Sequence, residues 1–252
     1  MIKPKFNEVE MPFLDHLEEL RWRIIRALIA VSVATIACFF ISDVILDFLL
    51  VTTKNLRTDI NLQVLKVQTI FIIKLEIALI FGIILSLPYI FYQIWAFIAP
   101  GLLEKERKYV VPVILFATLS FIVGSSFAFF IIVPFALDFF LSLAPPSVTN
   151  NIALDFYFGF VVRIVLVFGI VFELPILSIL LTKIGLLTPG ILKKYRRYAI
   201  VSIFIVAAIL TPPDPTTQVM LGIPLVILYE ITIWLSYLFQ KKKKEKPGKS
   251  VD

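Results

Sequence analysis

Residues Val161 to Leu181 read VVRIVLVFGIVFELPILSILL. Apart from Arg163 and Glu173 this stretch carries no charge, and no polar face emerges whichever period is laid on it. A strand of a membrane barrel would alternate polar and apolar residues, and a helix of a soluble domain would keep one wet side. Neither does, so the stretch reads as a helix surrounded by hydrocarbon, where every backbone group must be satisfied within the segment. About 20 such residues cross a core roughly 30 Å thick.

The rest of the chain agrees. Of 252 residues, 60% are hydrophobic and only 17% charged, with a mean hydropathy of +0.97. Six spans are expected, near Ile24 to Ile41, Ile70 to Phe97, Tyr109 to Val133, Phe156 to Leu181, Tyr198 to Leu210, and Val219 to Phe239. The fold class is all-α, a polytopic membrane protein. Residues 1–240 form the membrane domain and 241–252 a basic tail. The fifth span is short, about 21 Å of helix, and local bilayer thinning is one way to absorb the mismatch. No signal peptide is expected, because the first apolar run starts only near Ile24, after a segment rich in acids.

Basic residues set the direction of threading. Five lie before or at the start of the first span, three between Lys105 and Lys108, five between Lys183 and Arg197, and six in the tail. The opposite segments hold only Lys54, Arg57 and Lys66. Both ends are therefore expected in the cytoplasm or stroma. The net charge of +6 is a topology signal, and the Lys241 to Lys244 run reads as an anchor at the anionic leaflet rather than a nucleic-acid site.

Nothing here looks like an enzyme. The single histidine, His16, precedes the first span, and neither a zinc pair nor a phosphate-binding loop is present in the sequence. No metal or cofactor is expected. Charges inside the spans say more, since a carboxylate at mid-membrane is costly unless it faces protein or water. Glu173 and Glu230 are expected to face the bundle interior or a partner helix. Arg163 and Glu173 are ten residues apart, too far round and along a helix to pair. Glu76 lies at a depth like that of Arg163, and those two are expected to pair. Prolines at 88, 112, 134, 175 and 224 should kink the helices that carry them, giving a kinked, concave bundle. Met11 to Arg26 reads as a helix running into the first span, with Glu19 set to pair with Arg23 one turn on.

These features together resemble the TatC family, the multispanning receptor subunit of the twin-arginine protein translocase. The most specific stretches are His16-Leu17-Glu18-Glu19-Leu20-Arg21, Tyr92 to Leu102 (YQIWAFIAPGL), Glu106-Arg107, Phe172-Glu173-Leu174-Pro175, Thr211-Pro212-Pro213-Asp214 with Gln218, and Ile223-Pro224 ahead of Tyr229-Glu230. The resemblance implies binding of signal peptides that carry two adjacent arginines. It gives Glu19 and Glu106 as the acidic receptor positions, with Phe97 and Arg21 beside them. Planar guanidinium groups bond carboxylates bidentately, which suits that role. It further implies that Glu173, Asp214, Gln218 and Glu230 meet partner helices, that the partners are TatA-type and TatB-type single-span subunits and folded precursor proteins, and that the chain works as a homo-oligomer in a larger complex driven by the proton-motive force. The membrane is a bacterial inner membrane or a thylakoid. Departures fall in the first external loop, where Leu49, Leu50 and Val51 replace the usual Pro-Leu pair and Gln68 stands where relatives often have an acid. A proton-coupled small-molecule transporter, with Glu173 and Glu230 as relay sites, is the alternative reading.

Overall fold

The computed structural model describes residues 13–54, 60–98, 110–145, 149–183, 185, 187–210 and 215–240. Helix α1, Phe13–Phe40, runs without a break from the acidic segment through the first apolar run. It ends where the Ile41 amide donates to the Cys38 carbonyl at 3.2 Å. A new helix, α2 (Ser42–Lys54), starts at once, with Asp43 in its first turn facing the positive end of the helix dipole. That segment was expected to be loop. Its apolar residues recur at helical spacing, and Ile45 and Leu49 are buried.

Helix α3, Thr69–Ile98, carries Pro88 within it. The third apolar run is one continuous stretch of 32 residues, Val111–Ser142, and reaches nine residues beyond the expected end at Val133. It comprises α4 (Val110–Phe127), a wide π-helical turn at Ala128–Ile132, and α5 (Val133–Ser142). The Val133 amide donates five residues back, to Ala128. Pro134 follows, with no amide to donate, and the widened turn makes room for its ring. The fourth run divides into α6 (Leu154–Val171) and α7 (Leu174–Lys183). Pro175 cannot donate to Val171, and Phe172 and Glu173 form the break. Gly185, at φ +81°, then turns the chain in a conformation that disfavours any Cβ.

Helix α8 (Pro189–Lys194) opens with proline at its first position and with the Thr188 hydroxyl accepting from the Ile191 amide. Helix α9, Arg196–Leu210, covers the expected fifth span in 15 residues, about 22 Å of rise. Helix α10, Pro215–Phe239, carries Pro224. Among the described residues, five helical stretches of 25 to 32 residues are long and apolar enough to cross a membrane. The α-helical class stands, with one addition: β1 (Asn61–Gln63) and β2 (Asn151–Ala153) form a parallel pair.

The chain divides into two compact units. In the first, Met1–Asp43 with Lys74–Leu115, α1 and α3 run antiparallel and are joined along their length. Ser86 donates to the Ala30 carbonyl at 3.2 Å, and Lys74 Nζ meets Asp43 Oδ1 at 2.5 Å. Lys74, a charge within the second apolar run, is thereby ion-paired. Gly82 permits the closest approach, since a Cβ there would lie 2.7 Å from the Thr35 backbone.

The second unit, Val44–Ile73 with Phe116–Asp252, buries Tyr157, Phe158, Val161, Ile164 and Phe168, one face of α6, and Leu221 and Leu225 of α10. The Tyr157 hydroxyl donates to the Leu49 carbonyl at 3.0 Å, tying α6 to α2. Lipid is as apolar as these side chains, so close packing and internal hydrogen bonds, more than escape from water, hold such helices together. Glycines 124 and 169 bring α4 against Phe172 and α6 at distances no larger residue allows.

Candidate functional site

At the N-terminal end of α1, residues 16, 19, 20 and 23 are half-buried, while Asp15, Glu18 and Arg21 are exposed. This i, i+3, i+4, i+7 spacing is one helical face, and it separates Glu19 from the two neighbouring acids. The face lies against the last turns of α3, where Gln93 and Phe97 are four residues apart and point the same way.

Three contacts build the site. The His16 imidazole stacks on the Phe97 ring, with centroids 4.2 Å apart and planes within 13°. Arg23 Nε donates to Glu19 Oε1 at 3.0 Å, and Arg23 Nη2 donates to the same oxygen. Arg23 Nη1 in turn donates to Gln93 Oε1 at 3.4 Å, and Gln93 is only 5% exposed. Glu19 Oε2 is buried without a hydrogen-bond partner, with His16 Nδ1 3.7 Å away. The result is a carboxylate anchored through one oxygen, beside a flat stacked pair. Such a group suits a planar cation better than a spherical one.

Of the residues singled out in the sequence, Glu19 and Phe97 sit in this cluster, while Arg21 is exposed beside it. Glu106 and Asp214 lie outside the described residues. His16, Arg23 and Gln93 were not named as site residues. The i, i+3 and i+4 spacings to Glu19 marked the first two, but nothing local in the sequence links Gln93 to Arg23, 70 positions away.

Glu173 occupies the break between α6 and α7, 7% exposed, and its Oε1 has no hydrogen-bond partner. Beside it, Ser120 donates to the Phe172 carbonyl at 2.6 Å. Gln218 donates through Nε2 to the Phe204 carbonyl at 2.9 Å, fastening α10 to α9. Glu230, expected to face the bundle interior or a partner helix, is gripped by Arg196 at the start of α9: Nε donates to Oε1 at 2.5 Å and Nη2 to Oε2. Both side chains are partly exposed, 48% for Arg196 and 36% for Glu230. Glu76 on α3 and Arg163 on α6 are exposed and belong to different units.

The family model described as Sec-independent protein translocase protein (TatC) matches residues 15–224. A TatC protein of Desulforapulum autotrophicum is 38% identical over 238 residues, 94% of this chain and 88% of its own length. That of Aquifex aeolicus is 38% identical over 237 residues, 93% of this chain and 98% of its own. Two crystal structures of the twin-arginine translocase receptor TatC, one of them in DDM, superpose with TM-scores of 0.79 and 0.82 at 37% identity. They cover 89% and 88% of this chain and 99% of each solved chain. The length of the match, its identity and the agreement of fold place the chain in the TatC family: it is an integral inner-membrane component of the twin-arginine, Sec-independent protein translocase, with a role in transport rather than catalysis.

Proposed function

We propose that this chain is the subunit that receives the signal peptide of its translocase, and that it binds a twin-arginine motif at Glu19, with Phe97 and Arg21 beside it and Glu106 as the second carboxylate. The observation that carries this is the state of Glu19: half-buried, anchored through Oε1, with Oε2 unpartnered next to the stacked His16 and Phe97 rings. Two arginines need two carboxylates, and Glu106 supplies the second in this reading. The aromatic pair offers a flat apolar wall to the residue that follows them.

Six spans with both ends cytoplasmic put that site on the face from which precursors arrive. TatA-type and TatB-type subunits are the expected partners, meeting the chain near Glu173, Asp214, Gln218 and Glu230, and several copies work together. The chain supplies recognition and scaffold and is not an enzyme. The proton-motive force supplies the energy.

The test is export of a folded reporter in cells that lack their own TatC but carry matching partner subunits. A twin-Arg signal should be exported and a twin-Lys signal should not. Glu19→Gln should lower twin-Arg export by about tenfold or more, the loss of a charge-assisted hydrogen bond, without lowering the amount of protein in the membrane. Equal export of both signals, or full export with Glu19→Gln, would sink the reading.

A further inference from the structure

Glu19 Oε2 makes no hydrogen bond among the described residues, and His16 Nδ1 stands 3.7 Å from it. The His16 side chain is the more exposed of the two, 40% against 26%, so a group that comes to Oε2 from outside passes the imidazole edge. Stacking on Phe97 engages a face of that imidazole and leaves its nitrogens to bond in the ring plane. What Nδ1 offers depends on one proton. In the neutral ring one nitrogen is an acceptor, and with the hydrogen on Nε2 that acceptor is Nδ1; in the imidazolium both nitrogens are donors. Neutral, His16 sets a second acceptor beside Oε2. Protonated, it is a cation already paired with the carboxylate. Around the ring, α1 presents Glu19, with Arg23 on its other oxygen, and the exposed Asp15 and Glu18. Helix α3 presents Gln93 and Phe97, and its last residues, Tyr89 to Ile98, carry no charge. Glu106 lies outside the described residues.

Resting on the receptor reading above, we propose that His16 is a further binding residue of this site: it receives the peptide's guanidinium as a neutral imidazole, alongside Glu19, and binding expels a proton from it. The free and the bound chain differ in what a proton on His16 meets. In the free chain it meets the Glu19 carboxylate, which favours it. In the complex that carboxylate is engaged by an arginine, and the proton would set a second cation against the first and take away the Nδ1 acceptor. The complex therefore holds the proton less firmly than the free chain does, and by linkage the affinity rises as the pH rises through the imidazole range. Above that range the ring is neutral in both states and the dependence ends. Arg23 keeps its charge throughout and contributes nothing to the slope. A lysine in the peptide would be repelled by the same proton, so the effect is on the strength of binding and not on the choice between arginine and lysine.

The experiment measures binding of a histidine-free, N-acetylated twin-Arg signal peptide to the full-length chain in membrane vesicles together with its partner subunits, at pH 5.5 and at pH 8. A peptide with Gln-Gln in place of Arg-Arg sets the background at each pH. Wild type should bind the twin-Arg peptide about fivefold to tenfold more tightly at pH 8, since a difference of one unit in proton affinity between free and bound chain is worth tenfold. His16→Gln, which can bond but does not titrate in this range, should bind with nearly the same affinity at both. His16→Phe keeps a ring against Phe97 and has neither proton nor acceptor; it should be equally flat, and it carries the test if His16→Gln does not accumulate. A wild-type affinity that is equal at the two pH values, or that falls toward pH 8, overturns the inference and leaves the receptor reading standing. So does a rise of the same size in the His16 variants, because another group would then be responsible. A wild-type chain that binds the twin-Arg peptide no better than the Gln-Gln peptide at either pH overturns the receptor reading, and this inference with it.

Discussion

Glu230 and Glu19 are both gripped by an arginine of the same chain, yet only one of those partners was legible in the sequence. Glu19 and Arg23 are four residues apart on a helix, and spacing alone predicts the contact. Glu230 and Arg196 are 34 positions apart. Their meeting depends on α9 starting level with the lower part of α10, a property of packing rather than of either residue. Hydropathy placed Glu230 at mid-membrane and left it without a named partner. The pair fixes the start of the short helix by a fork-to-carboxylate contact that lysine cannot copy. Reversing either charge alone, Glu230→Arg or Arg196→Glu, should reduce the protein that survives in the membrane, and the double exchange should restore a good part of it. Quantitative immunoblots of membranes check this; no rescue in the double variant would mean the contact does not matter for assembly.

At the scale of elements, Pro134 and Pro175 mark places where helices yield, though not how, while Pro88 and Pro224 lie within unbroken helices. Pro175 was expected to open its helix, and the break at Phe172 and Glu173 is where it does so. Pro134 is accommodated by a π-helical turn upstream of it, which no sequence pattern distinguishes from a simple kink. Helix α2 went unread because its 13 residues are too few to span and lie between two runs that are not. Close approach of helices was not legible either, since a glycine in an apolar run looks alike whether or not a neighbour touches it. Gly82 is the sharpest case: a Cβ would press on the backbone of Thr35, which cannot swing aside as a side chain end can. Gly82→Ala should therefore destabilise the α1–α3 pair by about 1 to 3 kcal/mol, visible as a lower melting temperature of the purified protein in detergent. Because the proposed receptor cluster sits at one end of that pair, twin-Arg binding should weaken in the same variant. A melting temperature equal to that of wild type would show that the two helices part without cost.

For the whole molecule, composition was enough to give a helical membrane protein, and the charge of the loops gives an expected direction. What it could not give was the pairing between segments far apart in the chain, from the α1–α3 zipper to the contacts of α9. The proposed six-span topology makes a plain prediction. In a chain whose buried Cys38 is replaced by serine, single cysteines at Leu65 and Pro213 should react with an impermeant thiol reagent added outside. One at Leu187 should react only after the membrane is opened. Labelling of Leu187→Cys and Pro213→Cys from the same side would mean that α9 does not cross.

The small parallel sheet bears on the order in which the chain is made. Asn61 pairs with Asn151, and Gln63 with Ala153, so the first strand leaves the ribosome about ninety residues before its partner exists. At roughly 5 to 20 residues per second that is a wait of some 5 to 18 s. Throughout it the amide and carbonyl edge of β1 stands open, while α3 and the long third run enter the bilayer. Only when β2 arrives can the edge close. The strand pair is thus a late fastening, joining two loops after the helices on either side have found their depth, and until then the first loop has a bare edge that any other passing strand can use.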